Sequence, residues 1–179
     1  MSLAFPELLE RLRGYRSVLV VGPQRAGTTI AARMLAGGLG IDFLDERDVA
    51  GDLDQRIDEL RHRKTPGVVQ CPAWTWACHE LGGRGFGVVL LRRPVEEVID
   101  SQERIRWTRR CQPQELRRYG LISGAIADVK YRAWDEHQRR ALGPHAYEVD
   151  YAALAENPLW LGAHLRKGFH AKQTALDER

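Results

Sequence analysis

An apolar run rich in β-branched residues, Ser17-Val18-Leu19-Val20-Val21, passes directly into Gly22-Pro23-Gln24-Arg25-Ala26-Gly27-Thr28-Thr29 and then into a helical stretch from Thr29 to Ala36. A buried strand, a glycine-bounded turn and a helix in that order commit the chain to a parallel α/β unit, because the helix must fold back over the strand it follows. The Gly-x-x-x-x-Gly spacing outlines a phosphate-binding P-loop. Gly22 and Gly27 permit the tight turn, the N–H groups of Ala26 to Thr29 are expected to face inward, and the start of the helix favours negative charge. Thr28 stands where the nucleotide-hydrolysing version of the loop has lysine. That substitution points away from ordinary ATP or GTP chemistry and leaves Arg25 as the nearby cation, whose guanidinium can bridge two oxygens of a phosphate or of a transferred group.

The rest of the chain alternates in the same way. Leu3, Leu8, Leu9 and Leu12 predict a short leading helix that Gly14 ends. In the helix after the loop, Ile30, Ala31, Met34 and Leu35 form one apolar stripe, and Gly37-Gly38 are expected to stop it. Ile41 to Leu44 reads as a short strand leading into the acidic loop Asp45-Glu46-Arg47-Asp48, Leu53 to Arg63 as a polar helix and Gly67 to Cys71 as a strand. Pro72 to Leu81 reads as a short aromatic helix. Gly87-Val88-Val89-Leu90-Leu91 is continuously apolar, as expected of the buried centre of a parallel sheet. Pro94 then opens a helix, since its missing N–H is not needed in a first turn. A helical segment from Gln114 to Leu142, interrupted near Gly120 and Gly124, precedes a last strand at Ala146 to Val149. The expected architecture is a three-layer α/β/α P-loop fold with a central, mostly parallel sheet, and ligands bind at the carboxyl ends of such strands.

With 179 residues and 44% hydrophobic content, the chain is long enough for one core and short for two, so a single domain over residues 1–179 is expected. A formal charge of +3 suits an anionic ligand and falls short of what a nucleic-acid partner would require. The arginine-rich run from Arg104 to Arg118 reads first as a solvated helix face. Cys71, Cys78 and Cys111 are odd in number and lack Cys-x-x-Cys spacing, which argues against a disulfide framework or zinc site and for a reducing cytoplasm. No metal is expected, because the histidines show no shared ligand face. No apolar run is long enough for a membrane span, and Met1 to Arg13 lacks the form of a signal peptide.

A second constellation is Leu91-Arg92-Arg93-Pro94-Val95-Glu96-Glu97-Val98-Ile99-Asp100-Ser101-Gln102. Val95, Val98, Ile99 and Ile105 predict the buried stripe of its helix. At 100° per residue Ser101 returns to the azimuth of Pro94, about ten ångströms along the axis from the two arginines. Read from the residues alone, the segment is equally an anion clamp or an Arg–Glu surface network.

Pro23-Gln24-Arg25-Ala26-Gly27-Thr28-Thr29 resembles the 5′-phosphosulfate-binding loop of bacterial sulfotransferases, and Arg92-Arg93-Pro94 with Ser101-Gln102 resembles their 3′-phosphate-binding segment. Leu165-Arg166-Lys167-Gly168-Phe169 is similar to the element that closes over the 3′-phosphate, and Tyr147 to Tyr151 through Asn157-Pro158 is similar to the strand and turn before it. The resemblance implies 3′-phosphoadenosine 5′-phosphosulfate (PAPS) as donor and sulfuryl transfer to a hydroxyl or amine of a small-molecule, carbohydrate or lipid acceptor. By position it implies that Arg25, Ala26, Gly27, Thr28 and Thr29 hold the 5′-phosphate end. Arg92, or Arg93 beside it, would hold the 3′-phosphate with Ser101, under Arg166, Lys167 and Gly168. Arg25 replaces the lysine of many members, and Ile30 replaces the tryptophan that lies under adenine in cytosolic ones. The chain is short for the family, and a trimmed acceptor side leaves room for a partner subunit in a homodimer.

In-line transfer also needs a base for the acceptor proton. Glu46, Asp45 and His79 are the candidates. Glu46 and Asp45 lie just after a strand end, His79 lies in the aromatic helix, and relatives use either a histidine or a glutamate. Trp74 and Trp76 are candidates for an acceptor-pocket wall. Two other readings remain. One is a small-molecule kinase with a degraded P-loop, for which Asp150 would supply the magnesium carboxylate. The other is a non-catalytic nucleotide-binding P-loop domain.

Overall fold

The structure, a computed structural model, describes residues 3–46, 53–81, 85–105, 123–155 and 157. Within them, β1 (Ser17–Val21), β2 (Asp42–Leu44), β3 (Gly67–Gln70), β4 (Phe86–Arg92) and β5 (Ala146–Asp150) form one sheet in the order β2-β3-β1-β4-β5. Every adjacent pair is parallel. The helices are α1 (Phe5–Leu12), α2 (Thr28–Leu39), α3 (Leu53–His62), α4 (Val95–Arg104), α5 (Ser123–Ala133), α6 (Arg139–Leu142) and α7 (Tyr151–Ala155).

β1 is buried along its whole length, and its alternating side chains feed two separate cores, as in a sheet covered on both faces. Val18 and Val20 pack with Leu8 and Leu12 of α1 and Ala31 and Leu35 of α2. Leu19 and Val21 point the other way, toward Ile57, Leu60, Leu81, Tyr131 and Trp134. The expected three-layer α/β architecture is therefore present.

Several elements differ from the sequence expectation. Gly37-Gly38 do not stop α2, which continues to Leu39 and ends at Gly40, a left-handed C-cap with φ of 68°. Gly38 serves packing instead: a Cβ there would lie 2.8 Å from Leu9 of α1. The aromatic helix is two turns of 3-10 helix, Pro72–Trp76 and Cys78–Leu81, because the Thr75 hydroxyl is drawn onto the backbone of Pro72 and Gly22. Gly124 lies inside α5 and does not interrupt it. The break comes at Trp134–Gln138, a π-helical turn in which Gln138 reaches across to the 3-10 turns. Ile105 is exposed, whereas Ser101 and Gln102 are buried, so the buried stripe of α4 is partly polar.

Candidate functional site

The parallel register brings four strand ends to one edge. Val20 pairs with Gln70, Val21 with Leu90, and Arg92 with Asp150. The following residues, Gly22, Cys71, Arg93 and Tyr151, therefore gather at the carboxyl edge where such folds bind ligands.

The loop from Gly22 to Thr29 takes a shape that most side chains resist. Gly22, Arg25 and Gly27 have φ of 142°, 75° and 105°. A Cβ on Gly22 would meet the Leu91 carbonyl oxygen at 2.9 Å, and one on Gly27 would meet the Tyr151 ring at 2.5 Å. Both glycines are thus required by close approach as well as by backbone conformation. Neighbouring elements hold the outer side of the loop. The Gly22 N–H donates to the Thr75 hydroxyl at 2.9 Å, Gln102 Nε2 donates to the Gln24 carbonyl at 3.0 Å, and Arg93 Nη1 donates to the Arg25 carbonyl at 3.2 Å. The Ala26 N–H donates to Pro23 O at 3.0 Å, which corrects the expectation that it points inward at a ligand. Gly27 is the N-cap of α2, so the first N–H groups of that helix have no intrahelical acceptor. Thr28, in the lysine's place, is buried, and its hydroxyl accepts a hydrogen bond from Gln70 Nε2 at 3.3 Å.

Cations gather beside this loop. Arg25 Nε and Arg104 Nη2 each lie 3.4 Å from the Ser101 hydroxyl. The Arg93 guanidinium stacks over Tyr151 at 4.4 Å and pairs with Glu97 at 2.8 Å. Burial, then the like charges of Arg104 and Arg93, push the Arg25 guanidinium below its ordinary value. Ser101, expected some way along the helix from the arginines, is in hydrogen-bonding range of Arg25 because α4 lies against the loop.

Arg92 and Arg93 have separate surroundings. Arg92 bonds Asp135 at 2.6 Å and Glu148 at 3.1 Å. Burial alone would lower its pKa, but the hydrogen bond to Asp135 and the charges of Glu148 and Asp135 leave it raised. Alternation along an extended segment explains the division: Arg92 ends the strand among the carboxylates of the neighbouring elements, and Arg93 turns to the loop. The sequence segment offered both arginines, and it is Arg93 that contacts the phosphate loop.

The base candidates are dispersed. Asp45 and Glu46 follow β2, two strands from β1 and about 10 Å away in the sheet plane, and Asp45 acts electrostatically on Arg33. His79 lies in the second 3-10 turn, with Nδ1 at 2.9 Å from Gln138 Oε1 and its ring 4.7 Å from that of His137. The same oxygen also accepts from the His79 N–H at 2.7 Å, so Gln138 holds both the backbone and the ring of this residue. Trp74 and Trp76 are in the adjoining turn. Asp150 ends β5, two strands from β1 on the other side. Arg166, Lys167 and Gly168, and with them Trp107 and Cys111, lie outside the described residues. Among the described residues, no helix is long and apolar enough to cross a membrane.

One participant gave no recognisable sequence signal. Lys130 of α5 is fully buried, and its ammonium donates to Gln24 Oε1 at 2.7 Å and to Pro72 O at 3.1 Å. A cavity of about 240 Å³ lies away from the loop, along α1 and the start of β5, lined by Leu3, Arg11, Pro144 and Ala146.

The parallel five-stranded sheet with a glycine-bounded loop at the end of β1 defines a P-loop α/β fold of the kind found in small-molecule kinases. No protein-family model matches the sequence, and comparison with curated proteins gives no match. Among solved structures, shikimate kinase from Acinetobacter baumannii in complex with shikimate is similar at a TM-score of 0.53 and 19% identity, over 96% of this chain and 98% of that chain. A gluconokinase from Sinorhizobium meliloti 1021 is similar at 0.45 and 15% identity over 83% and 86% of the two chains. A shikimate kinase from Bacteroides thetaiotaomicron is similar at 0.48 and 15% over 90% and 98%. The first of these likenesses supports the fold.

Proposed function

We propose that the chain is a P-loop transferase that grips one phosphate of a nucleotide in the 22–29 loop with Arg25 and a second phosphate at the Arg93, Ser101 and Arg104 cluster beside it, and that it moves a sulfuryl group from PAPS to an acceptor hydroxyl or amine. The observation that carries the reading is the crowding of three guanidinium groups beside an anion-binding helix start. Like charges held together at a loop of this shape are stabilised when an anion enters. Two features of the loop weigh against ATP chemistry: Thr28 replaces the lysine, and Gln70, at the end of the neighbouring strand, presents an amide to Thr28.

In this reading the acceptor oxygen or nitrogen attacks sulfur as the bond from sulfur to the donor's phosphate oxygen breaks. The electron pair leaves with that oxygen, and the acceptor proton passes to a base. Arg25 and the α2 N-terminus meet the charge on the leaving phosphate, and Arg25, with no readily lost proton, acts electrostatically. Arg166, Lys167 and Gly168 would close over the second phosphate. His79, Glu46 and Asp45 remain the candidate bases.

The fold likeness to a kinase favours a second reading, a small-molecule kinase whose loop has lost its lysine. Thermal unfolding with each nucleotide separates the two. The sulfuryl reading expects adenosine 3′,5′-bisphosphate to raise the melting temperature by several degrees more than ATP with magnesium does. A larger response to magnesium ATP would transfer the assignment to the kinase. Tight bisphosphate binding, with no labelled sulfate reaching phenol, sugar, amine or lipid acceptors, would leave a nucleotide-binding domain without transfer.

A further inference from the structure

We infer that Lys130 supplies, from α5 and behind the phosphate loop, the buried positive charge that the loop itself lacks at Thr28. The inference rests on the anion-binding reading of the loop. The sequence of α5 makes the residue conspicuous once the fold is known. Ile126, Ala127, Tyr131 and Trp134 are its buried neighbours, at the one-, three- and four-residue spacings of a core-facing stripe. Lys130 sits in the middle of that stripe at 0% exposure. An aliphatic side chain would fill the same space without desolvating a charge, and fully buried lysines are rare for that reason.

What the ammonium touches explains its presence. It donates to Gln24 Oε1 at 2.7 Å, inside the loop, and to Pro72 O at 3.1 Å, and it lies 5.5 Å from the centre of the Trp76 ring. Pro72 belongs to the 3-10 turn whose Thr75 hydroxyl accepts the Gly22 N–H at 2.9 Å. The lysine therefore ties the second half of the loop's entry to the turn that holds its first residue. The charge is also closed off from water, so it acts on a nearby anion with far less screening than a surface lysine would. A loop that has threonine in place of its own lysine gains a cation from behind.

Calorimetric titration of the full chain with inorganic pyrophosphate tests this. Lys130→Met keeps the volume and removes the charge, and it should weaken pyrophosphate binding tenfold or more at low and high salt alike. Gln24→Leu removes the tie but keeps the charge, and it should weaken binding less than threefold. Equal losses in the two variants would overturn the electrostatic role, and unchanged affinity in Lys130→Met would overturn the whole inference. If Lys130→Met does not fold, the ammonium resonance of Lys130 in wild-type chain carrying ¹⁵N-lysine decides: it should move on addition of pyrophosphate, and a fixed resonance refutes the assignment. Pyrophosphate carries no nucleoside, so the sulfuryl reading can fail in the thermal experiment while this measurement stands. A wild-type chain that takes up no pyrophosphate also overturns the inference.

Discussion

Two arginine-rich regions meet at the end of β4, and they differ in what balances their charge. Around Arg92 the guanidinium is answered by Asp135 and Glu148, and Glu148 also receives Arg139 at 3.1 Å and the Trp134 indole N–H at 3.0 Å. Around Arg25, two further guanidinium groups act as like charges on a half-buried one. The first region is an internally neutralised network that joins β4, β5 and the π-helical turn. In the second, Glu97 answers Arg93 at 2.8 Å, while Arg25 is left beside the like charges of Arg104 and Arg93. The opposite directions of the two pKa shifts, up for Arg92 and down for Arg25, express the same difference. A pair of adjacent arginines is thus divided between a carboxylate network and the 22–29 loop by which neighbours each one meets.

Removing Arg25 should have the largest effect on this contrast. Arg25→Ala is expected to lower adenosine 3′,5′-bisphosphate affinity about a hundredfold, the scale of losing a charged donor from a preorganised site. The unliganded protein should melt no lower than wild type, because a source of like-charge repulsion has gone. A clear loss of melting temperature without ligand would place Arg25 in the structural class instead.

Gly27→Ala comes next. Its Cβ would press on the Tyr151 ring that carries Arg93, so a loss of about 2 kcal/mol in chemical denaturation is expected, together with weaker bisphosphate binding. Normal stability in this variant would mean that Tyr151 moves freely and does not fix Arg93.

The neighbouring arginines allow the sharpest comparison. Arg93→Ala should weaken the bisphosphate about tenfold with little change in stability, whereas Arg92→Ala should lower stability by about 1 to 2 kcal/mol and leave affinity within threefold. Titration and denaturation of both variants would reveal a reversal of these roles, which would return the second phosphate to Arg92.

The smallest effect concerns pH. Burial alone would raise the Glu148 carboxyl, but Trp134, Arg92 and Arg139 together hold it below its ordinary value of 4.5. A carboxyl depressed in the folded state stabilises the fold fully above the unfolded value, and that contribution is lost as pH falls through the folded one. Glu148→Gln should therefore cost about 1 kcal/mol at neutral pH and flatten the decline of stability below about pH 4.5. Parallel acid limbs for variant and wild type would show that the network contributes little.

Legibility followed locality. β1 and β4 stood out because their apolar runs are continuous, and the loop because its glycines have fixed spacing. Gly37-Gly38 misled, since glycine read alone signals a helix end, whereas here Gly38 admits Leu9 of α1. The Thr75 tie to Gly22 spans 53 positions and the Lys130 tie to Gln24 spans 106, so no local pattern announces either. The inward role expected of the Ala26 N–H was lost to Pro23 O for a reason that depends on the turn's actual dihedrals.

The sequence by itself determined the α/β class, the position of the glycine-bounded loop after β1, and the absence of lysine at Thr28, because each depends on neighbouring residues and their periodicity. Only the tertiary structure decided which of Arg92 and Arg93 faces the loop, that Ser101 joins Arg25, and that a buried lysine from α5 meets Gln24 of the loop. These outcomes depend on strand order and on how α4 and α5 pack against the loop, and packing between distant segments leaves no mark on any one of them.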